Sequence, residues 1–137
     1  TAIDNIQDNL SEMDAVSIHC PRNEETENMF SKNEFDKMKK TSFIINCARG
    51  GIINEDDLYK ALNNDDISGA GLDVFDIEPA PKSNPILNLK NVILSPHIAG
   101  VTVEATVRMA TETVQNVLDI FDQKVNENVI VNNEILR

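Results

Sequence analysis

The sequence predicts an α/β fold in which a parallel sheet is covered by helices on both faces. Two observations carry that prediction. Short, nearly uninterrupted apolar runs rich in β-branched residues alternate with segments of helical periodicity, and strands that are apolar on both sides belong inside a covered parallel sheet. The residues with chemistry to offer fall just past the ends of those runs, where open α/β sheets bind their ligands. A length of 137 residues suits one domain able to bury a core.

The elements follow in order. Ile3, Ile6 and Leu10 have helical spacing and predict a short helix leading into a first strand, Asp14 to Ile18. Turn-prone residues from Pro21 to Asn28 follow it. Ser31 with Glu34 reads as a capping box, opening a helix that sets Phe30, Phe35 and Met38 on one side. Ser42 to Cys47 is the second strand. Asn54 caps a further helix, with Glu55, Asp56 and Asp57 in the first turn, where anions suit the helix dipole, and Leu58, Ala61 and Leu62 facing inward. Ile67 to Val74 is a third strand and Asn91 to Ser95 a fourth, separated by a loop holding Pro79, Pro81 and Pro85. Thr102 then caps a long amphipathic helix whose apolar residues run from Val103 to Phe121. No repeat or linker divides the chain.

Charge narrows the function. Lys plus Arg is 12 and Asp plus Glu is 23, a net charge of −11, and such a surface repels phosphate backbones. Nucleic acid is therefore a poor partner, and no apolar run approaches the ~18 residues a membrane span needs. Cys20 and Cys47 are the only cysteines and form no C-x-x-C pair, which fits a reducing cytoplasm.

Three residues form a chemical constellation. Arg49 lies in I-N-C-A-R-G-G, directly after a strand and before two glycines. Glycines let a backbone come close to a ligand, and a guanidinium there grips a carboxylate with two parallel bonds. An arginine paired with an acidic neighbour is the other reading of this spacing. Glu78, in F-D-I-E-P, follows the third strand, and His97, in S-P-H-I-A-G, follows the fourth. Histidine changes charge near neutral pH and suits proton transfer. Arg49 would hold an anionic carbonyl substrate, His97 would move the proton, and Glu78 would orient the imidazole and favour its charged form. His19 has no comparable neighbours and reads as structural. Cys47, in an apolar strand, reads as a quiet thiol. No metal-ligand spacing is present, and Gly69-Ala70-Gly71 lacks the third glycine of a phosphate loop.

The segments I-N-C-A-R-G-G-I-I-N-E, G-A-G-L-D-V-F-D-I-E-P and N-V-I-L-S-P-H-I-A-G-V-T-V-E-A closely resemble the D-isomer-specific 2-hydroxyacid dehydrogenases, in particular the branch that oxidises 3-phosphoglycerate on the route to serine. The resemblance implies a doubly wound Rossmann-type sheet, NAD as cofactor, a 2-hydroxy acid as substrate and a homodimeric, cytoplasmic parent enzyme. It implies that Arg49 binds the substrate carboxylate, that His97 is the proton donor or acceptor, and that Glu78 is its partner. Asp73 matches the residue that holds the nicotinamide carboxamide. Cys20, Cys47, Ala48, Arg49, His97, Ile98, Ala99 and Gly100 match positions lining the cofactor. Glyoxylate, hydroxypyruvate and D-lactate are alternative substrates, and a non-enzymatic binding or corepressor protein on the same fold is the alternative of another class.

A dinucleotide site also needs a glycine-rich turn and an acidic residue about 20 residues on, and these residues contain neither. The expectation is that residues 1–122 are the C-terminal part of a NAD-binding domain, with 123–137 a tail returning toward a substrate domain. The natural polypeptide is then expected to extend upstream by on the order of one domain, and the chain alone to be inactive.

Overall fold

The computed structural model describes residues 2, 5–124, 126–132 and 134. Ile3, from the predicted leading helix, lies outside the described residues, as do Val125, Asn133 and residues 135–137 of the expected tail. The chain divides into two compact units, Thr1–Ala99 and Gly100–Arg137.

The first unit holds one four-stranded parallel sheet: β1 (Ala15–Ile18), β2 (Phe43–Asn46), β3 (Gly69–Leu72) and β4 (Val92–Leu94), in the order β1-β2-β3-β4. Ala15 pairs with Phe43, and Phe43 with Gly69. Two helices connect the strands, α1 (Lys32–Phe35) and α2 (Glu55–Asn63). Each strand is shorter than its apolar run. The β2 run is predicted to reach Cys47, but the strand ends at Asn46, whose side chain turns back to bind the next backbone groups.

Sequence signals explain the helices. The capping box at α1 forms, with the Glu34 carboxylate accepting from the Ser31 N–H at 3.1 Å and its hydroxyl at 2.8 Å. Asn54 caps α2 by accepting from the Asp57 N–H at 3.0 Å, and Leu58, Ala61 and Leu62 are buried as their spacing predicts. The predicted leading helix is instead a pair of 3-10 turns, Ile6–Asp8 and Leu10–Glu12; Asn5 and Asn9, which favour caps and turns, interrupt it. The proline-rich loop carries one 3-10 turn, Pro85–Asn88, which buries Ile86.

Strand order decides which face is covered. Crossovers between parallel strands are right-handed, so strands laid down in sequential order place every connection on one face. Val16, Ile18, Ile44 and Leu72 share a single core with Phe30, Phe35, Leu58 and Leu62. Within this unit the opposite face is open: Ala15, Ser17 and Phe43 are exposed, and Ile93 is 81% exposed. The second helical layer of a doubly wound sheet comes from strands wound the other way, and the winding within Thr1–Ala99 runs in one direction only. All four strands point the same way, so their carboxyl ends line one edge.

The second unit contains α3 (Val103–Phe121), capped by Thr102, which accepts from the Ala105 N–H at 3.1 Å. A 3-10 turn follows at Glu127–Val129. None of the described residues of α3 is buried. No helix among the described residues is long and apolar enough to cross a membrane.

Candidate active site

A cleft of about 730 Å³ opens at the carboxyl edge of the sheet, lined by residues that follow all four strands. β1 supplies His19, Cys20, Pro21 and Arg22; β2 supplies Cys47, Ala48, Arg49 and Gly50; β3 supplies Phe75, Asp76 and Glu78; β4 supplies His97. A second cleft of about 650 Å³ shares Phe75, Glu78 and His97 with the first and is otherwise lined by residues such as Leu87, Leu94 and Pro96. The Glu78–His97 pair stands between polar and apolar surroundings.

The turn carrying Arg49 is built by Asn46. Its buried amide accepts from the Ala48 N–H at 3.0 Å and donates to the Arg49 carbonyl at 2.9 Å. Glycine then lets this turn approach the β3 loop. A Cβ on Gly50 would overlap the Phe75 carbonyl, and Gly51 has a φ of 78° with the Arg22 guanidinium against it. The Arg49 guanidinium donates to the Ala48 carbonyl at 2.7 Å. It is exposed and makes no ion pair among the described residues. The pairing with an acidic neighbour that the sequence left open is not made, and the charge is not buried.

Glu78 and His97 are joined. The imidazole Nδ1 lies 2.7 Å from Glu78 Oε2, and the Phe75 N–H donates to Oε1 at 2.9 Å. The hydrogen bond from His97, then that from Phe75, holds the Glu78 carboxyl below the usual carboxylate range. A carboxylate at Nδ1 fixes the tautomer that keeps the proton there. Nε2 then has no protein partner among the described residues and is the atom that exchanges a proton with a ligand.

The sequence pattern of the D-isomer specific 2-hydroxyacid dehydrogenases, NAD binding domain, matches residues 1–99. The chain belongs to that family. It is 40% identical over 128 residues to a glyoxylate reductase of Korarchaeum cryptofilum, covering 93% of this chain and 38% of that protein. It is 40% identical over 121 residues to glyoxylate/hydroxypyruvate reductase B of Klebsiella pneumoniae, covering 88% of this chain and 38% of the relative. The NAD-complexed D-isomer specific 2-hydroxyacid dehydrogenase of Lactobacillus delbrueckii ssp. bulgaricus superposes with a TM-score of 0.81 at 29% identity, over 92% of this chain and 42% of that one. The chain thus spans about two fifths of the length of these proteins.

Within this chain the predicted residues divide into three groups. Arg49, Glu78, His97, Cys20, Cys47 and Ala48 share the first cleft. Asp73 is buried beside the second, where its carboxylate accepts from the backbone of Ile98 and Ala99. Gly100 opens the second unit. Cys47 is a correction: it is exposed rather than held in an apolar strand, because β2 stops one residue before it. His19, read as structural, also lines the cleft, with its Nε2 at 2.7 Å from the Ser17 hydroxyl. Sequence reasoning missed Arg22, Asp76 and Asn46. The first two sit in turns without a motif of their own, and an asparagine closing an apolar strand is a recognisable turn signal.

Proposed function

We propose that the protein transfers hydride between NAD and a small 2-hydroxy acid, acting as a glyoxylate or hydroxypyruvate reductase. The observation that carries this reading is the placement of one unpaired guanidinium, Arg49, on the same cleft as a carboxylate-oriented imidazole, His97. Together they offer a carboxylate grip and a proton donor, and a 2-keto acid needs both.

NAD, when bound, carries the hydride. The cleft residues Cys20, Cys47, Ala48 and His97 would line its nicotinamide end. In reduction, Arg49 holds the substrate carboxylate and so fixes which face of the carbonyl is presented. His97 gives its Nε2 proton to the carbonyl oxygen as that oxygen gains negative charge. Glu78 accepts from Nδ1 and holds the ring in place before and after the transfer. Oxidation of the hydroxy acid runs the same steps backwards.

The relatives support the two- and three-carbon keto acids over 3-phosphoglycerate, the substrate the sequence first suggested. The test is NADH consumption by the natural polypeptide that carries this chain. Glyoxylate, hydroxypyruvate, pyruvate and 3-phosphohydroxypyruvate would be compared by kcat/KM. Glyoxylate or hydroxypyruvate should lead by at least about tenfold, a difference of ~1.4 kcal/mol. A lead for the phosphorylated acid would restore the first suggestion, and no turnover of any would overturn the enzyme reading.

A further inference from the structure

His97 has a backbone φ of 55°, a left-handed conformation that a non-glycine residue keeps only when its surroundings enforce it. The backbone bonds that hold this turn converge on one residue. Asp73, directly after β3, is 3% exposed. Its backbone carbonyl accepts from the His97 N–H at 2.8 Å. Its carboxylate accepts from the Ile98 N–H and the Ala99 N–H, each at 2.9 Å, and from the Ser95 hydroxyl. Between Ser95 and Ala99 only Pro96, which has no N–H, is not bonded to Asp73.

We propose that Asp73 is a positioning residue for His97: it gathers the 95–99 loop around one buried carboxylate and so delivers the imidazole to Glu78. This differs from the cofactor contact that the family resemblance assigns to the same residue, and it rests on the reading of His97 as proton donor. Burial pushes the Asp73 carboxyl up, but the Ser95, Ala99 and Ile98 hydrogen bonds outweigh it and keep the group below the usual range. The anchor is therefore a carboxylate that accepts on both oxygens. An asparagine offers one acceptor oxygen and turns an amide toward a backbone N–H.

The test uses Asp73→Asn and Ser95→Ala in the natural polypeptide, read by steady-state kinetics and by amide hydrogen exchange. In Asp73→Asn, kcat should fall about ten- to a hundredfold while KM for glyoxylate and for NADH stays within about threefold. Exchange at Ile98 and Ala99 should speed up at least about tenfold with β2 and β3 unchanged. Ser95→Ala should move the same readouts in the same direction by less. A raised KM for NADH with exchange at Ile98 and Ala99 unchanged would overturn the proposal in favour of a cofactor contact. Loss of protection throughout β2 and β3 would overturn it in favour of a general structural role. If Asp73→Asn does not fold, Ser95→Ala decides, and wild-type kcat and exchange in that variant would overturn the clamp. A wild type that turns over no keto acid would sink the dehydrogenase reading instead, leaving exchange to support or overturn the clamp.

Discussion

His97 Nδ1 and Glu78 Oε2 are 2.7 Å apart although the residues follow different strands, β4 and β3. The parallel pairing of Leu72 with Leu94 brings the two loops to the same edge. The contact therefore depends on sheet register, and its chemistry can be separated from its geometry by substitution.

Glu78→Gln keeps the shape and removes the charge. Without a carboxylate to accept from Nδ1 the ring is no longer held in one tautomer and orientation, so kcat should fall about tenfold. Stability shifts too. The Glu78 carboxyl titrates lower folded than unfolded, so its contribution is present above the unfolded pKa and is lost as pH falls through the folded one. The variant should be less stable at neutral pH and show a flatter loss of stability on acidification. An unchanged kcat, measured alongside chemical denaturation at several pH values, would dissolve the pair.

Arg49→Lys keeps the charge and loses the planar fork. If the guanidinium grips the substrate carboxylate, the loss should be roughly 1.5–3 kcal/mol, or about ten- to a hundredfold in kcat/KM. Its exposed position and missing ion pair mean the fold should be indifferent, so the thermal midpoint should match wild type. Near-wild-type kinetics would make the residue a bystander.

How much of this was legible in the sequence differs by element. Strands, caps and α2 were, because apolar runs, Ser31 with Glu34, and Asn54 are local signals whose partners lie within a few residues. The catalytic candidates were legible because strand ends converge in any parallel sheet. The open sheet face was not, since Phe43 and Ile93 read as apolar whether covered or bare. Nor was the role of Asp73, whose partners lie 22 to 26 residues away, nor the pairing of Gly50 with the Phe75 carbonyl.

That last contact gives a stability prediction. A Cβ on Gly50 would overlap backbone, which cannot rotate away, whereas a Cβ on Gly71 would meet only Ile45 side-chain atoms at 3.7 Å and 3.8 Å. Gly50→Ala should lower stability by ~1–3 kcal/mol or more, while Gly71→Ala should be near neutral or mildly stabilising. Equal denaturation midpoints for the two would mean that the Arg49 turn yields easily.

Cofactor affinity of the 137-residue chain by itself follows from what its residues can reach. Pyrophosphate is held in these folds by a glycine-rich turn at a helix N-terminus, and the adenosine ribose by an acid about 20 residues later. The sequence contains no G-x-G-x-x-G, and Gly69-Ala70-Gly71 lies within β3 rather than before a helix. Arg49 and His97, the residues proposed for the nicotinamide end, line the cleft. Titration calorimetry with NAD should accordingly give no site tighter than about 1 mM, some 4 kcal/mol of binding free energy. Chemical-shift changes at high NAD should concentrate at Ala48, Arg49 and His97, and hydride transfer should be undetectable. A micromolar site on this chain would show that the dinucleotide is held by residues other than the ones this fold ordinarily uses.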